Sequence, residues 1–99
     1  MSESGANSGR YTVTIRPAAY QDLQSIAKKV RKEQRKRIGK RIAELETQPR
    51  PRGSKKLAGS DNEYRLRDGN YRILYAIDEN KRTVRVSRIL DRKDAYKGR

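Results

Sequence analysis

The 99-residue sequence contains no cysteine and no histidine, and these two absences remove several classes of chemistry. Without cysteine the chain forms no disulfide and has no thiolate nucleophile. Without either residue it lacks the usual ligands of zinc and the most common general acid–base group of enzymes. The acidic residues show no recognisable spacing of metal ligands, so we expect no metal and no cofactor. Any catalysis must therefore use arginine, lysine and tyrosine.

Phenylalanine and tryptophan are also absent, and no apolar run approaches the roughly 18 residues of a transmembrane helix. A chain of this length forms one domain with a modest core, built here from aliphatic side chains and tyrosine rings. Residues 1–10 are polar and rich in glycine and serine. We therefore predict a flexible tail there, no secretory signal, and a folded domain over residues 11–99. These features favour a cytoplasmic location.

Acidic residues are scarce: 12 aspartates and glutamates stand against 26 lysines and arginines, which gives a net charge of +14. Such self-repulsion destabilises a compact chain unless a polyanion relieves it. Nucleic acid is the favoured partner, because a basic protein gains affinity by releasing counterions from phosphates. An anionic membrane surface, an acidic protein, or no anionic partner at all are the alternatives.

The basic residues are densest between positions 28 and 41, where nine of them accompany a single acid, Glu33. On a helix they would surround the exposed side. They then form either an ordinary solvated face or a surface that follows a phosphate backbone without reading any base. The candidate RNA contacts in this segment and in the loop after it are Lys28, Lys29, Arg31, Lys32, Arg35, Lys36, Lys55 and Lys56.

Periodicity predicts a strand followed by helix. Alternation over residues 11–16 indicates the strand, and Pro17 favours a helix start directly after it. A single helix over residues 17–47 would be about 46 Å long. It would overhang a domain with a radius of gyration near 13 Å, so we predict two helices with a break near residues 29–31. The apolar stripe of these helices consists of Ala19, Leu23, Ile26, Val30, Ile38, Ile42 and Leu45.

The second half of the sequence predicts a loop followed by a three-stranded β-meander. The proline- and glycine-rich segment 50–62 is predicted to be a loop that Leu57 anchors to the core. Strands are predicted at residues 63–67, 70–77 and 82–90, and a tight turn joins the first two. The predicted fold class is therefore α+β in the order β-α-α-β-β-β. A helical hairpin packs on one face of a mostly antiparallel four-stranded sheet.

Three arginines crowd the predicted hairpin, in the stretch YRLRDGNYRILY over residues 64–75. Arg65 and Arg67 lie two residues apart and so share one face of a strand. With a turn at residues 68–69, Arg72 lies directly opposite Arg65, and like charges in that position destabilise a sheet. The three arginines are either solvent-facing residues of a basic protein or a site for phosphate, which would remove the repulsion.

Three motifs carry a resemblance to a known family: KLAGS at residues 56–60, YRLRDGNYRILY, and a basic residue four positions before a terminal AY. With the order of elements, they make residues 11–96 resemble the RelE/ParE toxin superfamily. The RelE branch of that superfamily cleaves messenger RNA in the ribosomal A site. The ParE branch poisons DNA gyrase and lacks the nuclease residues. Either branch implies a cognate antitoxin, which the charge of this chain leads us to expect to be acidic.

The catalytic residues that the RelE branch implies are Arg65, Arg67, Arg72, Arg92 and Tyr96. The implied reaction is metal-independent attack of a ribose 2′-OH on the adjacent phosphate, by an endoribonuclease that acts on the ribosome. Members of the branch often carry lysine at one or both of the first two positions, whereas arginine stays protonated and is a poor base. Tyr96, Lys55 and Lys56 are candidates for accepting the proton. A gyrase inhibitor and a non-catalytic RNA-binding domain are the alternative functions.

Overall fold

The computed structural model describes residues 10–91, which form a five-stranded sheet and two helices. The elements are β1 (Thr12–Ile15), α1 (Pro17–Ala27), α2 (Lys32–Glu44), β2 (Ser54–Lys56), β3 (Glu63–Asp68), β4 (Tyr71–Asp78) and β5 (Thr83–Asp91). The strand order is β1-β5-β4-β3-β2, with β1 parallel to β5 and the other described neighbours antiparallel. The α+β class and the mostly antiparallel sheet are confirmed. The predicted tail lies outside the described residues except for Arg10.

Each helix follows an arginine in extended conformation, Arg16 before α1 and Arg31 before α2. Pro17 opens α1 because its missing N–H has no partner to lose at the first helical position. Residues 28–31 separate the helices, which confirms the predicted break. In the part of the chain that the structure describes, neither helix has the length and apolar character needed to cross a membrane.

Both helices pack on the same face of the sheet, which we call the helical face. Its buried side chains are Ala19, Ile26, Ile38, Ile42 and Leu45 from the helical half and Leu66, Tyr71, Ile73, Tyr75, Ile77, Val84, Val86 and Ile89 from the strands. The Tyr75 hydroxyl donates a hydrogen bond to the carbonyl of Pro49 at 2.7 Å, so a buried polar group is satisfied and the loop after α2 is held on the core.

An aspartate joins α1 to β5. The carboxylate of Asp22 accepts hydrogen bonds from Arg88 Nε at 2.8 Å and from the backbone N–H of Ile89 at 2.9 Å. Burial acts to raise the pKa of Asp22, but the bonds from Arg88 and Ile89 outweigh it and lower that pKa below its usual value. The contact fixes α1 against β5, which also pairs with β1, the strand directly before α1.

The predicted count of four strands is wrong by one. Residues 54–56, predicted to lie in a loop, pair with β3 as the edge strand β2. Its three residues include two lysines, and neither that length nor that composition signals a strand. The predicted role of Leu57 is wrong as well. Leu57 is half-buried and lines a cavity on the face opposite the helices, and it does not belong to the core.

The turn of the β3–β4 hairpin differs from the prediction by one residue. Gly69 and Asn70 form it, so Arg72 lies opposite Arg67 and not, as predicted, opposite Arg65. Gly69 has a φ of +61°, the left-handed value required of the first central residue of a type II′ turn. Arg65 lies opposite Leu74 instead.

Candidate functional site

The register places the three hairpin arginines together on the face of the sheet away from α1 and α2, which we call the open face. Residues directly opposite in an antiparallel pair share a face, and Arg67 and Arg72 are such a pair. Arg65 follows on the same face of β3, and Lys55 of β2 lies opposite Arg65. We call Lys55, Arg65, Arg67 and Arg72 the cationic cluster.

Arg72 is the most enclosed member of the cationic cluster. It is 8% exposed, it lies between Arg67 and Leu90 on the neighbouring strands, and its Nη1 has no hydrogen-bond partner among the described residues. The Nε of Arg65 is also buried without a partner in residues 10–91. A buried donor without an acceptor costs about 1–3 kcal/mol, and more when charged. The two guanidinium groups therefore suit an anionic ligand, since phosphate oxygens would supply the acceptors.

The backbone that carries the cluster is held from two sides. Arg37 of α2 pairs with the carboxylate of Asp68 at 3.2 Å, and that carboxylate is 8% exposed. On the β2 side, the carbonyl of Gly53 accepts the N–H of Arg67 at 3.2 Å. Gly53 has a φ of +95°, and an added Cβ would lie 3.3 Å from the Arg67 carbonyl oxygen, so this position favours glycine.

The two lysines considered as proton acceptors point to opposite faces. Lys55 is paired with Arg65 and shares the open face with it. Lys56 is paired with Tyr64, whose ring packs against the core on the helical face. The structure therefore brings Lys55 to the cationic cluster and leaves Lys56 away from it.

Three tyrosines of the described chain have raised pKa values. Burial raises the pKa of Tyr75 to about 12 and also raises that of Tyr71, and the hydrogen bond to Glu79 raises that of Tyr11. A tyrosine that accepts a proton near neutral pH needs a lowered pKa, so these three do not suit that role. The remaining predicted site residues, Arg92 and Tyr96, lie outside the described residues.

The predicted RNA contacts of the helical segment form a second basic surface. Lys28, Lys29, Arg31, Lys32, Arg35 and Lys36 are all exposed, and we call them the helical basic surface. Because α2 packs on the helical face, these cations lie on the other side of the sheet from Arg72. Arg35 also donates a bond to the carbonyl of Ala27 at 3.4 Å, which ties α2 to the end of α1.

A cavity of about 180 Å³ lies beside the cationic cluster on the open face. Its lining includes the apolar residues Leu57, Leu74 and Ala76 and the charged residues Arg16, Glu63 and Arg85. The charged residues were not singled out from the sequence as a site, because they come from three separate segments of the chain. Arg85 could have been placed from the sequence, because it lies between Val84 and Val86 on a strand. Both valines are buried, so Arg85 points to the opposite face. Within residues 10–91, no group of three or more acidic, histidine or cysteine side chains is placed to hold a metal ion.

The family model that matches the chain describes the ParE toxin of the type II toxin-antitoxin system parDE, and it covers residues 13–96. A search of curated proteins gave no significant match. The family similarity therefore spans nearly all of the described residues.

Solved structures of similar fold come from archaea and bacteria. The archaeal RelE–RelB complex from Pyrococcus horikoshii OT3 has a TM-score of 0.71 and 27% identity, over 84% of this chain and 96% of that chain. The RelB–RelE antitoxin–toxin complex from Methanococcus jannaschii has a TM-score of 0.66 and 30% identity, over 86% and 96%. The toxin–antitoxin complex RelBE2 from Mycobacterium tuberculosis has a TM-score of 0.68 and 28% identity, over 84% and 99%.

Proposed function

Because the chain belongs to the ParE toxin family, within the RelE/ParE superfamily of type II toxin–antitoxin toxins, we propose that it is a ribosome-dependent endoribonuclease of the RelE type. It cleaves messenger RNA in the ribosomal A site, in the cytoplasm, and thereby stops translation. The observation that carries this proposal is Arg72, a buried guanidinium whose Nη1 has no partner in the described chain and which faces a second arginine across the hairpin.

The cationic cluster holds the scissile phosphate. Arg72 and Arg67 place two guanidinium forks on neighbouring strands, and such forks bind phosphate oxygens with paired hydrogen bonds. As the 2′-oxygen attacks phosphorus, negative charge builds on the non-bridging oxygens, and fixed cations at that point lower the barrier. Arg65 adds a third guanidinium on the same face.

The reaction needs a proton acceptor as well as charge. The 2′-oxygen forms a bond to phosphorus, the bond to the 5′-oxygen breaks, and the products are a 2′,3′-cyclic phosphate and a 5′-hydroxyl. The 2′-OH proton goes to a base, and a proton is delivered to the 5′-oxygen. Arginine cannot take the first proton because it stays charged. Tyr96 and Lys55 are the candidate bases, and Arg92 supports the site near the end of the chain.

Binding to the ribosome extends beyond the cationic cluster. The helical basic surface, with Lys55 and Lys56 at the sheet edge, provides cations that follow ribosomal RNA phosphates without reading sequence. The net charge of +14 supports this assignment. The same charge supports an acidic cognate antitoxin as the protein partner, since the solved relatives are complexes of RelE with RelB.

A gyrase inhibitor is the second candidate function. It is favoured by the description of the matching family model, which names the ParE toxin. Arginine at both positions 65 and 67 also departs from the lysines that RelE-like nucleases often use.

One pair of assays separates these functions. The purified chain is added to ribosomes programmed with a defined messenger RNA, and cut sites are mapped by primer extension. In parallel it is added to gyrase with supercoiled DNA. Cuts within codons that require the ribosome support the nuclease. Accumulated gyrase–DNA breaks with intact RNA support the inhibitor. If neither RNA cuts nor gyrase–DNA breaks are found, the remaining candidate is a non-catalytic RNA-binding domain.

A further inference from the structure

The cavity on the open face continues directly from the cationic cluster. Leu74 in its lining lies opposite Arg65. It also lies two residues along β4 from Arg72, a separation of about 6.8 Å on a regular strand. A nucleotide whose phosphate is held at Arg72 therefore has its base within reach of the cavity.

Charged groups with free hydrogen-bonding capacity surround the apolar part of this cavity. Within residues 10–91, Arg16, Glu63 and Arg85 form no ion pair and no side-chain hydrogen bond, although all three line the same space. A carboxylate and two guanidinium groups thus remain available to a ligand. Small-molecule sites commonly combine an apolar lining with a few such polar groups.

The pairing of β4 with β5 is irregular beside the cavity. The register between β4 and β5 shifts between Leu74 and Tyr75, so that Ser87 is an extra residue on β5. The Ser87 hydroxyl donates a hydrogen bond to the Leu74 carbonyl at 3.1 Å, and Ser87 lines the cavity. Bulges of this kind redirect side chains and are frequent next to functional sites.

We propose that the cavity binds one unstacked base of single-stranded RNA and that it favours guanine. The proposal rests on the proposed function only in taking RNA as the ligand. Sequence-specific RNA recognition usually targets bases that are splayed out of a single strand, and an open sheet face admits such a base.

The side chains around the cavity match the edges of guanine better than those of other bases. Guanine presents two adjacent donors, N1–H and N2–H₂, which fit the two oxygens of the Glu63 carboxylate. Its O6 and N7 are acceptors, which fit a guanidinium group such as that of Arg85. Adenine presents a donor next to an acceptor, so one oxygen of Glu63 would face a lone pair. Glu63 is therefore the residue that discriminates.

Binding of short 2′-O-methyl oligouridines that carry a single guanine, adenine or cytosine tests the proposal. The 2′-O-methyl group removes the nucleophile, so affinity is measured without any cleavage, by fluorescence anisotropy at one fixed low ionic strength. We expect the full-length chain to bind the guanine-containing strand about tenfold more tightly than the others, within the range of one paired base contact.

Glu63→Gln provides the decisive comparison. Glutamine offers one acceptor and one donor, which suits adenine, so we expect the guanine preference to fall below about threefold and the adenine-containing strand to gain affinity. Asp61→Asn is the matched control, because it removes the same charge from an exposed residue that does not line the cavity. It should raise the affinity for all strands equally and leave the preference intact.

Three results would overturn the proposal. The wild type shows no base preference, Glu63→Gln keeps the guanine preference unchanged, or Asp61→Asn loses as much of the guanine preference as Glu63→Gln does. If Glu63→Gln alters only the affinity for the cognate antitoxin, the cavity binds protein and the proposal is wrong. If the protein prefers guanine but does not cleave on the ribosome, the proposal for the cavity stands and the proposed nuclease function is wrong. If it cleaves on the ribosome but has no base preference, the nuclease function stands and the proposal for the cavity is wrong.

Discussion

At the scale of the residue, Arg72 combines two properties that a purely structural arginine does not need. It is 8% exposed, and its Nη1 has no acceptor within residues 10–91. An unpartnered buried charge destabilises a fold, and apolar replacement of buried ionic groups is often neutral or stabilising by about 1–4 kcal/mol. Such a cost to the stability of the free protein is what we expect if Arg72 holds the phosphate of the proposed RNA ligand.

We expect Arg72→Met to keep or raise the Tm while it lowers the single-turnover rate of cleavage on programmed ribosomes by about 10²–10³, a typical loss for one donor to a transition state. Methionine keeps the apolar stem of the side chain and removes the charge. Thermal unfolding and rapid-quench cleavage measure the two effects. The control Arg52→Met changes an exposed arginine outside the cationic cluster and should leave the rate unaltered. A near wild-type rate for Arg72→Met contradicts the role of Arg72.

Tyr96 is assigned from the family resemblance, and its hydroxyl can be tested apart from its ring. Loss of a general acid–base group lowers a rate by about 10²–10⁴, whereas a stacking ring is worth roughly 1–3 kcal/mol and is retained by phenylalanine. We expect Tyr96→Phe and Tyr96→Ala to be similarly slow in single-turnover cleavage. If Tyr96→Phe retains the full rate and only Tyr96→Ala is slow, the ring stacks on a base and Lys55 becomes the candidate proton acceptor.

At the scale of the element, the hairpin shows why a face can be predicted when a register cannot. The predicted turn was one residue early, which changed the partner of Arg72 from Arg65 to Arg67. Moving the turn by one residue shifts the pairing by two, and side chains alternate with a period of two, so the three arginines still share a face. Edge strand β2 could not be predicted, because three residues rich in lysine carry no strand signal of their own.

The contact between α1 and β5 should make stability depend on pH. The pKa of Asp22 is lowered in the folded state, so its stabilising effect is complete above its unfolded pKa and is lost as pH falls through the lower folded pKa. We expect Asp22→Asn to cost about 1 kcal/mol near neutral pH, after allowance for partial exposure of Arg88. Urea unfolding should show this difference shrinking below about pH 4.

Asp61→Asn serves as the control for that titration, since Asp61 is exposed and forms no ion pair in the described chain. Its unfolding midpoint should follow that of the wild type across the pH range. A difference between Asp22→Asn and wild type that grows as the pH falls would contradict the assigned direction of the pKa shift.

Glycine substitutions in α2 and in the hairpin should have opposite effects on stability. Gly39 lies inside α2, and Gly69 lies in the turn with a φ of +61°; an added Cβ meets nothing within 4 Å at either site. We expect Gly39→Ala to stabilise by about 0.5–1 kcal/mol, because a helical glycine costs backbone entropy. Gly69→Ala should destabilise by about 1–2 kcal/mol, because alanine disfavours the left-handed region. Chemical unfolding that gave both changes the same sign would contradict this explanation.

At the scale of the whole molecule, two basic surfaces lie on opposite sides of one sheet. The helix break that positions the helical basic surface was predictable, because a single straight helix would overhang a domain of this size. The cavity was not predictable, since Arg16 after β1, Glu63 of β3 and Arg85 of β5 meet only when the sheet assembles in the order β1-β5-β4-β3. Residues that converge from separate strands leave no local pattern in a sequence.

Separation of the two surfaces predicts separable kinetic effects. We expect Lys32→Gln/Lys36→Gln to raise the ribosome concentration needed for half-maximal cleavage and to leave kcat unchanged, because the role proposed for these exposed cations on α2 is to bind phosphates far from the reacting atoms. The slope of log affinity against log salt concentration should become shallower by about 1.4–1.8, the release of two counterions.

The control for that experiment is Arg10→Gln/Lys81→Gln, which removes the same charge from exposed residues outside both basic surfaces. Long-range attraction to the ribosome depends on net charge, so both double variants should lose a similar part of the association rate. Local contacts between α2 and the ribosome slow dissociation, and only the α2 variant loses them, so only that variant should dissociate faster. If the two variants dissociate at the same rate, the helical basic surface acts only through net charge. If kcat falls in the α2 variant alone, α2 supports the reaction centre, through a route such as the Arg37–Asp68 pair at the hairpin.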